Sequence, residues 1–154
     1  MNVFEIETTY KCNWNCEYCC VQTHTKRALS NEKILNNLKE SSNNFIDLNG
    51  GALTISGGEP SLADPELIRE IYNLSKEHNF QLSLNTNGRI FYPNIYPIFK
   101  DMLKDIEINW HVSEKCDWSD KINWILSLIE KDSLKVQPML VVTNNNIINL
   151  DTFM

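Results

Sequence analysis

Residues 52–85 read ALTISGGEPSLADPELIREIYNLSKEHNFQLSLN, and this stretch decides the fold. ALTIS (52–56) is a short apolar run that stops at Gly57 and Gly58. Asp64 followed by Pro65 marks a helix start. The carboxylate caps the first turn, and proline suits the first helical position because an N–H there has no helical partner. Leu67, Ile68, Ile71 and Leu74 then recur at helical spacing, and QLSLN (81–85) alternates apolar with polar residues as a second strand. Strand, helix and strand in that order form a crossover unit whose two strands run parallel.

The same rhythm extends in both directions. Upstream, VFEIETT (3–9) predicts a strand, and Ser30 predicts the cap of a helix with Ile34, Leu35 and Leu38 on one face. Downstream, a helix over 95–103, punctuated by Pro93 and Pro97, leads to a strand over 105–112. A Ser119 cap opens a helix through Ile122, Ile125, Leu126 and Ile129. KVQPMLVV (135–142) predicts a fifth strand, bulged or bent at Pro138, and a further helix begins at Ile147. Units of roughly 25–30 residues that alternate strand and helix indicate a parallel sheet. Right-handed crossovers curl five such units into part of a barrel. The expected fold class is therefore α/β, a partial (β/α) barrel in one domain over residues 1–154.

Composition narrows the function classes. The chain has 154 residues, 42% hydrophobic and 22% charged, enough to build a core without staples. No apolar run approaches the roughly 18–20 residues of a membrane span. MNVFEIETTY at the N-terminus has neither the basic region nor the apolar stretch of a leader. A net charge of −6 argues against a broad nucleic-acid footprint, though not against a nucleotide-sized substrate. Cys12, Cys16, Cys19 and Cys20 crowd together, and only Cys116 stands apart. That clustering, without a leader, reads as metal binding in a reducing cytoplasm rather than a disulfide framework.

KCNWNCEYCC (11–20) sets Cys12, Cys16 and Cys19 at CxxxCxxC spacing, with Tyr18 just before the third cysteine. Three thiolates on one short loop can hold three corners of an iron–sulfur cube and leave the fourth iron open to a small molecule. Chemistry in parallel α/β folds gathers at the C-terminal ends of strands. There the sequence places the cysteine loop, Gly57-Gly58-Glu59-Pro60, Asn85-Thr86-Asn87-Gly88, His111 with Ser113, and Thr143-Asn144-Asn145. Gly57 and Gly58 permit either close backbone approach to a ligand or backbone angles closed to other residues. Glu59 would present a carboxylate to a cation such as an ammonium.

Other readings compete for several residues. Cys12, Cys16, Cys19 and His24 could bind structural zinc, which favours closed tetrahedral sites, but this leaves 57–60 unexplained. Cys20 reads as a spare thiol, Cys116 as an ordinary loop cysteine, and His24 and Arg27 as a solvated loop. Arg89 could pair with a carboxylate or be surface charge. Glu5 and Glu7 share one strand face, either a solvated edge or the barrel interior. Trp110, Trp118 and Trp124 read as packing.

CxxxCxxC with its aromatic, SGGEP, TNG and VVTNNN, in that order, resemble the radical S-adenosylmethionine (SAM) superfamily over nearly the whole chain. The resemblance implies a 4Fe-4S cluster on Cys12, Cys16 and Cys19, with SAM chelating the open iron through its amino and carboxylate groups. Gly57, Gly58, Glu59 and Pro60 would receive that amino group, and the backbone near Tyr18 would face the adenine. Asn85, Thr86, His111, Ser113, Thr143 and Asn144 would complete the cofactor site. The implied activity is one-electron cleavage of SAM to a 5′-deoxyadenosyl radical that takes hydrogen from a substrate. The substrate would be a small molecule, a peptide or a protein, and the electron donor a flavodoxin or ferredoxin. Such a cluster would be oxygen-sensitive. Compact members include glycyl-radical activating enzymes and deazapurine-forming enzymes, and the absence of a second cysteine cluster argues against peptide modifiers that need auxiliary clusters. The family core usually has six strand–helix units, so with five the barrel is either short or closed by another chain or segment. A metal-binding scaffold or subunit of the same ancestry, without catalysis, is the alternative.

Overall fold

A computed structural model describes residues 3–19, 29–44, 51–112 and 122–140. Five strands, β1 (Val3–Thr9), β2 (Ala52–Gly57), β3 (Gln81–Thr86), β4 (Glu107–Val112) and β5 (Lys135–Leu140), alternate with helices. These are α1 (Asn31–Asn44), α2 (Pro65–Glu77), α3 (Tyr96–Leu103) and α4 (Ile122–Asp132). The strands form one sheet in the order β1-β2-β3-β4-β5, and every pair is parallel. Sequential order with crossovers of one hand puts all the helices on one face. The expected α/β partial barrel is therefore the observed architecture.

Strand alternation makes the two faces chemically different. Leu53, Ile55, Leu82, Leu84, Ile108 and Trp110 point to the helices and are buried with Leu67, Ile68, Ile71, Phe99, Leu103 and Ile125. Each such aliphatic side chain contributes roughly 1.5–3 kcal/mol of transfer free energy. The residues between them face the opposite way and are polar. In register, Glu5 meets Thr54, Thr54 meets Ser83, and Ser83 meets Glu107. Hydrogen bonds cross the sheet along this face: Thr54 Oγ1 to Ser83 Oγ at 2.9 Å, Ser56 Oγ to Glu5 at 2.6 Å, and Asn109 Nδ2 to Asn85 Oδ1 at 2.9 Å. Glu5 and Glu7 thus lie on the inner face of the curled sheet.

The helix ends follow local chemistry. Ser30 Oγ accepts from Lys33 N at 3.3 Å, and Asp64 Oδ1 accepts from Glu66 N at 3.0 Å, as side-chain caps should. Asp64 does more than cap, because its Oδ2 accepts from Asn31 Nδ2 at 2.9 Å and ties α1 to α2. The C-terminus of α2 closes through Asn79 at φ 54°, with Phe80 N donating to Ser75 O and Asn79 N to Lys76 O. Asp132 at the end of α4 accepts from Tyr96 and pairs with Lys100, joining α3 to α4.

The strand starting at 105 begins instead at Glu107, and the helix expected over 95–103 begins at Tyr96. Pro138 sits inside an unbroken register, opposite Trp110, without the expected bulge. Among the described residues β5 is an edge, where a missing backbone N–H is tolerated. The register shift lies instead in β1, between Glu7 and Thr9, where the chain turns into the cysteine loop. The Ser119 cap, the last two residues of the fifth strand and the helix from Ile147 fall outside the described residues.

Candidate functional site

Two backbone hydrogen bonds hold the loop after β1 to the loop after β2. Gly58 N donates to Thr9 O at 2.6 Å, and Glu59 N donates to Lys11 O at 2.8 Å. A Cβ on Gly57 would lie 2.4 Å from Thr9 O, and one on Gly58 would lie 2.1 Å from Lys11 O. Gly57 also has φ 114°, which L side chains rarely adopt. Of the two roles open to these glycines, the close approach is therefore to the cysteine loop itself. They fix where Cys12 begins.

Cys12 and Cys16 are half-buried, Cys19 is exposed, and none of the three is in a disulfide. Cys19 N donates to Cys16 O at 3.1 Å, a turn that puts both thiols on one side of the loop. They line a cavity of about 350 Å³ with Trp14, Tyr18, Gly57, Gly58, Asn85, Thr86, Asn87 and His111, and Glu5 and Ser56 form its floor. That volume lies within the roughly 300–1,000 Å³ of small-molecule sites. A second void of about 430 Å³, between β1 and α1, has no cysteine among its described lining residues.

Burial pushes the Cys12 thiol above its usual pKa, against the opposing effect of Trp14 N, which donates to its sulfur at 3.4 Å. Among the described residues no three His, Cys, Asp or Glu side chains gather closely enough for one metal ion. A zinc site would draw its thiolates to about 2.3 Å from a single centre. The void that Cys12, Cys16 and Cys19 line has room for a polynuclear group. His24 lies outside the described residues.

Glu59 departs from expectation. Its carboxylate is fully buried and does not face the cavity. It accepts from Ser61 N at 3.1 Å, from Thr86 Oγ1 at 2.9 and 3.1 Å, and from Asn87 N at 2.8 Å. It therefore braces the loop after β2 against the loop after β3 and is not offered to an ammonium. Pro60 is likewise buried, opening the short 3₁₀ turn Pro60–Leu62. Arg89 pairs with no carboxylate in that network; it donates to Ser61 O at 3.1 Å and helps hold the same turn. Burial raises the Glu59 pKa, its largest influence, against the lowering effect of its donors.

A carboxyl whose folded pKa is raised binds its proton more tightly when folded. Its contribution to stability is present at low pH and is lost as pH rises from the unfolded value through the folded one. Glu59→Gln removes this titration. The Gln amide must also face the Asn87 or Ser61 N–H, at a cost of about 1–3 kcal/mol. Urea unfolding of both proteins from about pH 4 to 8 should show the gap between them narrowing as pH rises. A gap independent of pH would contradict the raised pKa.

The remaining expected residues divide clearly. Tyr18, Asn85, Thr86 and His111 line the cavity, with Asn85 oriented by Asn109 and Thr86 committed to Glu59. Burial lowers the His111 pKa, favouring the neutral imidazole. Ser113, Thr143 and Asn144 lie outside the described residues, as do Cys20, Arg27, Cys116 and Trp118. Trp110 is buried edge-to-face against Phe91, as a packing residue, whereas Trp124 is partly exposed and donates to Phe91 O. Sequence reading placed Asn87 on the rim and Ser56 in the SGGEP motif without giving either a role in the site, and did not single out Trp14. Strand register could have found Ser56, whereas Trp14 and Asn87 depend on loop conformation.

A profile of the radical SAM superfamily matches residues 6–112. The chain belongs to the radical SAM superfamily. This family uses a 4Fe-4S cluster and SAM. A protein of Methanocaldococcus jannaschii that carries the name of a glycyl-radical enzyme activating enzyme is 32% identical over 128 residues, 82% of this chain and 45% of that one. A protein of Methanococcus aeolicus named as a GTP 3′,8-cyclase is 36% identical over 87 residues, covering 54% of this chain and 28% of its own. Among solved structures, anSMEcpe with bound AdoMet matches at a TM-score of 0.74 and 17% identity, over 98% of this chain and 46% of that one. Streptococcus suis SuiB bound to precursor peptide SuiA matches at 0.64 and 16%, over 98% and 36%. These two likenesses show the fold. The radical SAM chain described here spans less than half the length of each of these proteins. No described helix is long and apolar enough to cross a membrane.

Proposed function

We propose that this chain carries the cofactor-binding part of a radical SAM enzyme, with Cys12, Cys16 and Cys19 as the protein ligands of the cluster. The observation that carries this reading is that Cys12, Cys16 and Cys19 line one cavity together with Gly57, Gly58, Asn85 and His111. Bound there, the cluster would supply the electron that cleaves SAM to a hydrogen-abstracting 5′-deoxyadenosyl radical. The chain's own residues would do the positioning. Gly57 and Gly58 hold the cysteine loop against the end of β2. Tyr18 offers an aromatic face and Asn85 an amide to a nucleoside. Neutral His111 can donate or accept one hydrogen bond. The protein would thus orient the cofactors and exclude competing partners while they carry the chemistry. Ser113, Thr143 and Asn144 would extend the same rim, and a flavodoxin or ferredoxin would supply electrons.

For the substrate, a peptide or protein side chain is favoured over a nucleoside triphosphate. The cavity floor carries Glu5, and its described lining contains no lysine or arginine to meet phosphates. The name of the Methanocaldococcus relative and the peptide bound to SuiB point the same way. Anaerobic reconstitution tests the reading. About four irons per chain and 5′-deoxyadenosine on reduction in the presence of SAM are expected. Iron bound without SAM cleavage would leave only a cluster-binding scaffold. One zinc per chain with no iron would overturn both.

A further inference from the structure

Asn87, in the loop after β3, touches the cysteine loop. Its side-chain oxygen accepts from Arg89 N at 3.1 Å. That bond decides which end of the amide is which, because a backbone N–H requires an acceptor opposite it. The nitrogen therefore faces the other way. It donates to Asn13 Oδ1 at 3.0 Å and to Cys12 Sγ at 3.8 Å, and an amide nitrogen carries two hydrogens, enough for both. The Asn87 backbone N–H is held by the buried Glu59 carboxylate at 2.8 Å, and Glu59 is itself fixed by Thr86 and Ser61. Every hydrogen-bonding group of the Asn87 side chain is thus committed, and its N–H is aimed at one sulfur.

We infer that Asn87 is a positioning residue that donates an N–H···S hydrogen bond to Cys12 and so raises the reduction potential of the cluster. This rests on the proposed cluster-binding role of Cys12. Hydrogen bonds to the sulfurs are among the determinants of iron–sulfur potentials. Reduction adds one negative charge, spread partly onto the thiolate sulfurs, so a donor stabilises the reduced state more than the oxidised one. Glu59 acts one step further back, by holding the donor's backbone. Its burial, which removes it from any ligand, is what this role requires.

Asn87→Asp and Asn87→Ser test the inference. Both keep an oxygen that can accept from Arg89 N, and both remove the donor to Cys12. The full chain, reconstituted anaerobically without SAM, is titrated with reductant while the reduced cluster is followed by electron paramagnetic resonance. Both variants should hold as much iron as the parent and should be harder to reduce, by about fivefold in the reduction equilibrium for one neutral hydrogen bond. At 59 mV per decade for one electron this is a shift of about 40 mV to more negative potential, larger for Asn87→Asp because of its charge. Asn13→Ala, which removes the other partner of the same amide, should leave the potential within a third of that shift. Unchanged potentials in iron-loaded variants would overturn the inference. So would loss of iron or of folding in both variants, which would make Asn87 a loading or structural residue. Failure of the parent chain to take up iron is a different result and would count against the proposed function.

Discussion

Replacing Cys19 with alanine is expected to abolish iron incorporation while leaving the fold intact. Cys19 is exposed, and the turn that carries it is made by its backbone N–H to Cys16 O, which alanine keeps. Surface substitutions of this kind change stability by about ±0.5 kcal/mol. A cluster with only two thiolate ligands loses a second corner to solvent, so iron after anaerobic reconstitution should fall from about four per chain to near zero. Formation of 5′-deoxyadenosine should fall with it, while urea midpoints of the metal-free proteins coincide. Cys16→Ala should behave the same way. Cys12→Ala should also lower the stability of the metal-free chain slightly, because the N–H groups of Trp14 and Asn87 lose their acceptor. Iron content unchanged in any one of the three would remove that residue from the ligand set.

Gly58→Ala is expected to be strongly damaging despite adding only one methyl group. The added carbon would sit 2.1 Å from Lys11 O, 2.7 Å from Lys11 C and 2.9 Å from Tyr10 C, all backbone atoms that cannot rotate away. Relief requires separating the loop after β2 from the cysteine loop, which breaks the Gly58 N to Thr9 O and Glu59 N to Lys11 O bonds. Overpacking plus two lost hydrogen bonds costs about 2–5 kcal/mol. For a chain of this size the thermal midpoint should drop by roughly 5–15 °C. Iron loading should fall even below the melting temperature, because the displaced segment begins at Cys12. A melting temperature within about 2 °C of the parent would show that the two loops are not packed as described.

The two substitutions probe different levels of the same site. At Cys19 the side chain would carry the proposed cluster ligation, and the turn that holds it is made by backbone alone. At Gly58 the missing side chain is the function, since it lets two loops from distant parts of the chain share one set of hydrogen bonds. The motif at 57–60 is therefore as much a splice between strands as a surface for a ligand.

Strand and helix placement was legible in the sequence because both signals are local. The Asp64-Pro65 start, the 3.6-residue recurrence of Leu67, Ile68 and Ile71, and the alternation in QLSLN need no partner to be recognised. The three cysteines were legible for the same reason: their spacing lies within eight residues. Of the bulge or bend expected at Pro138 the bulge is absent, because propensity does not know which strand is an edge among the described residues. Glu59 was misjudged because a carboxylate beside glycines looks available until its burial and its donors, two of them 27 and 28 residues away, are known.

By itself, then, the sequence determined a parallel α/β sheet and the rim on which the cysteine loop falls. Only the tertiary structure decided which groups face the cavity and which are spent holding loops together. The division has one physical cause. Backbone propensity, capping and hydrophobic periodicity act over a few residues, whereas a polar group's role depends on what lies opposite it across the fold. Glu59, Thr86 and Asn87 have the composition of a binding site, and it is their mutual hydrogen bonds across two strands that turn Glu59 inward and leave the amide of Asn87 pointing at sulfur.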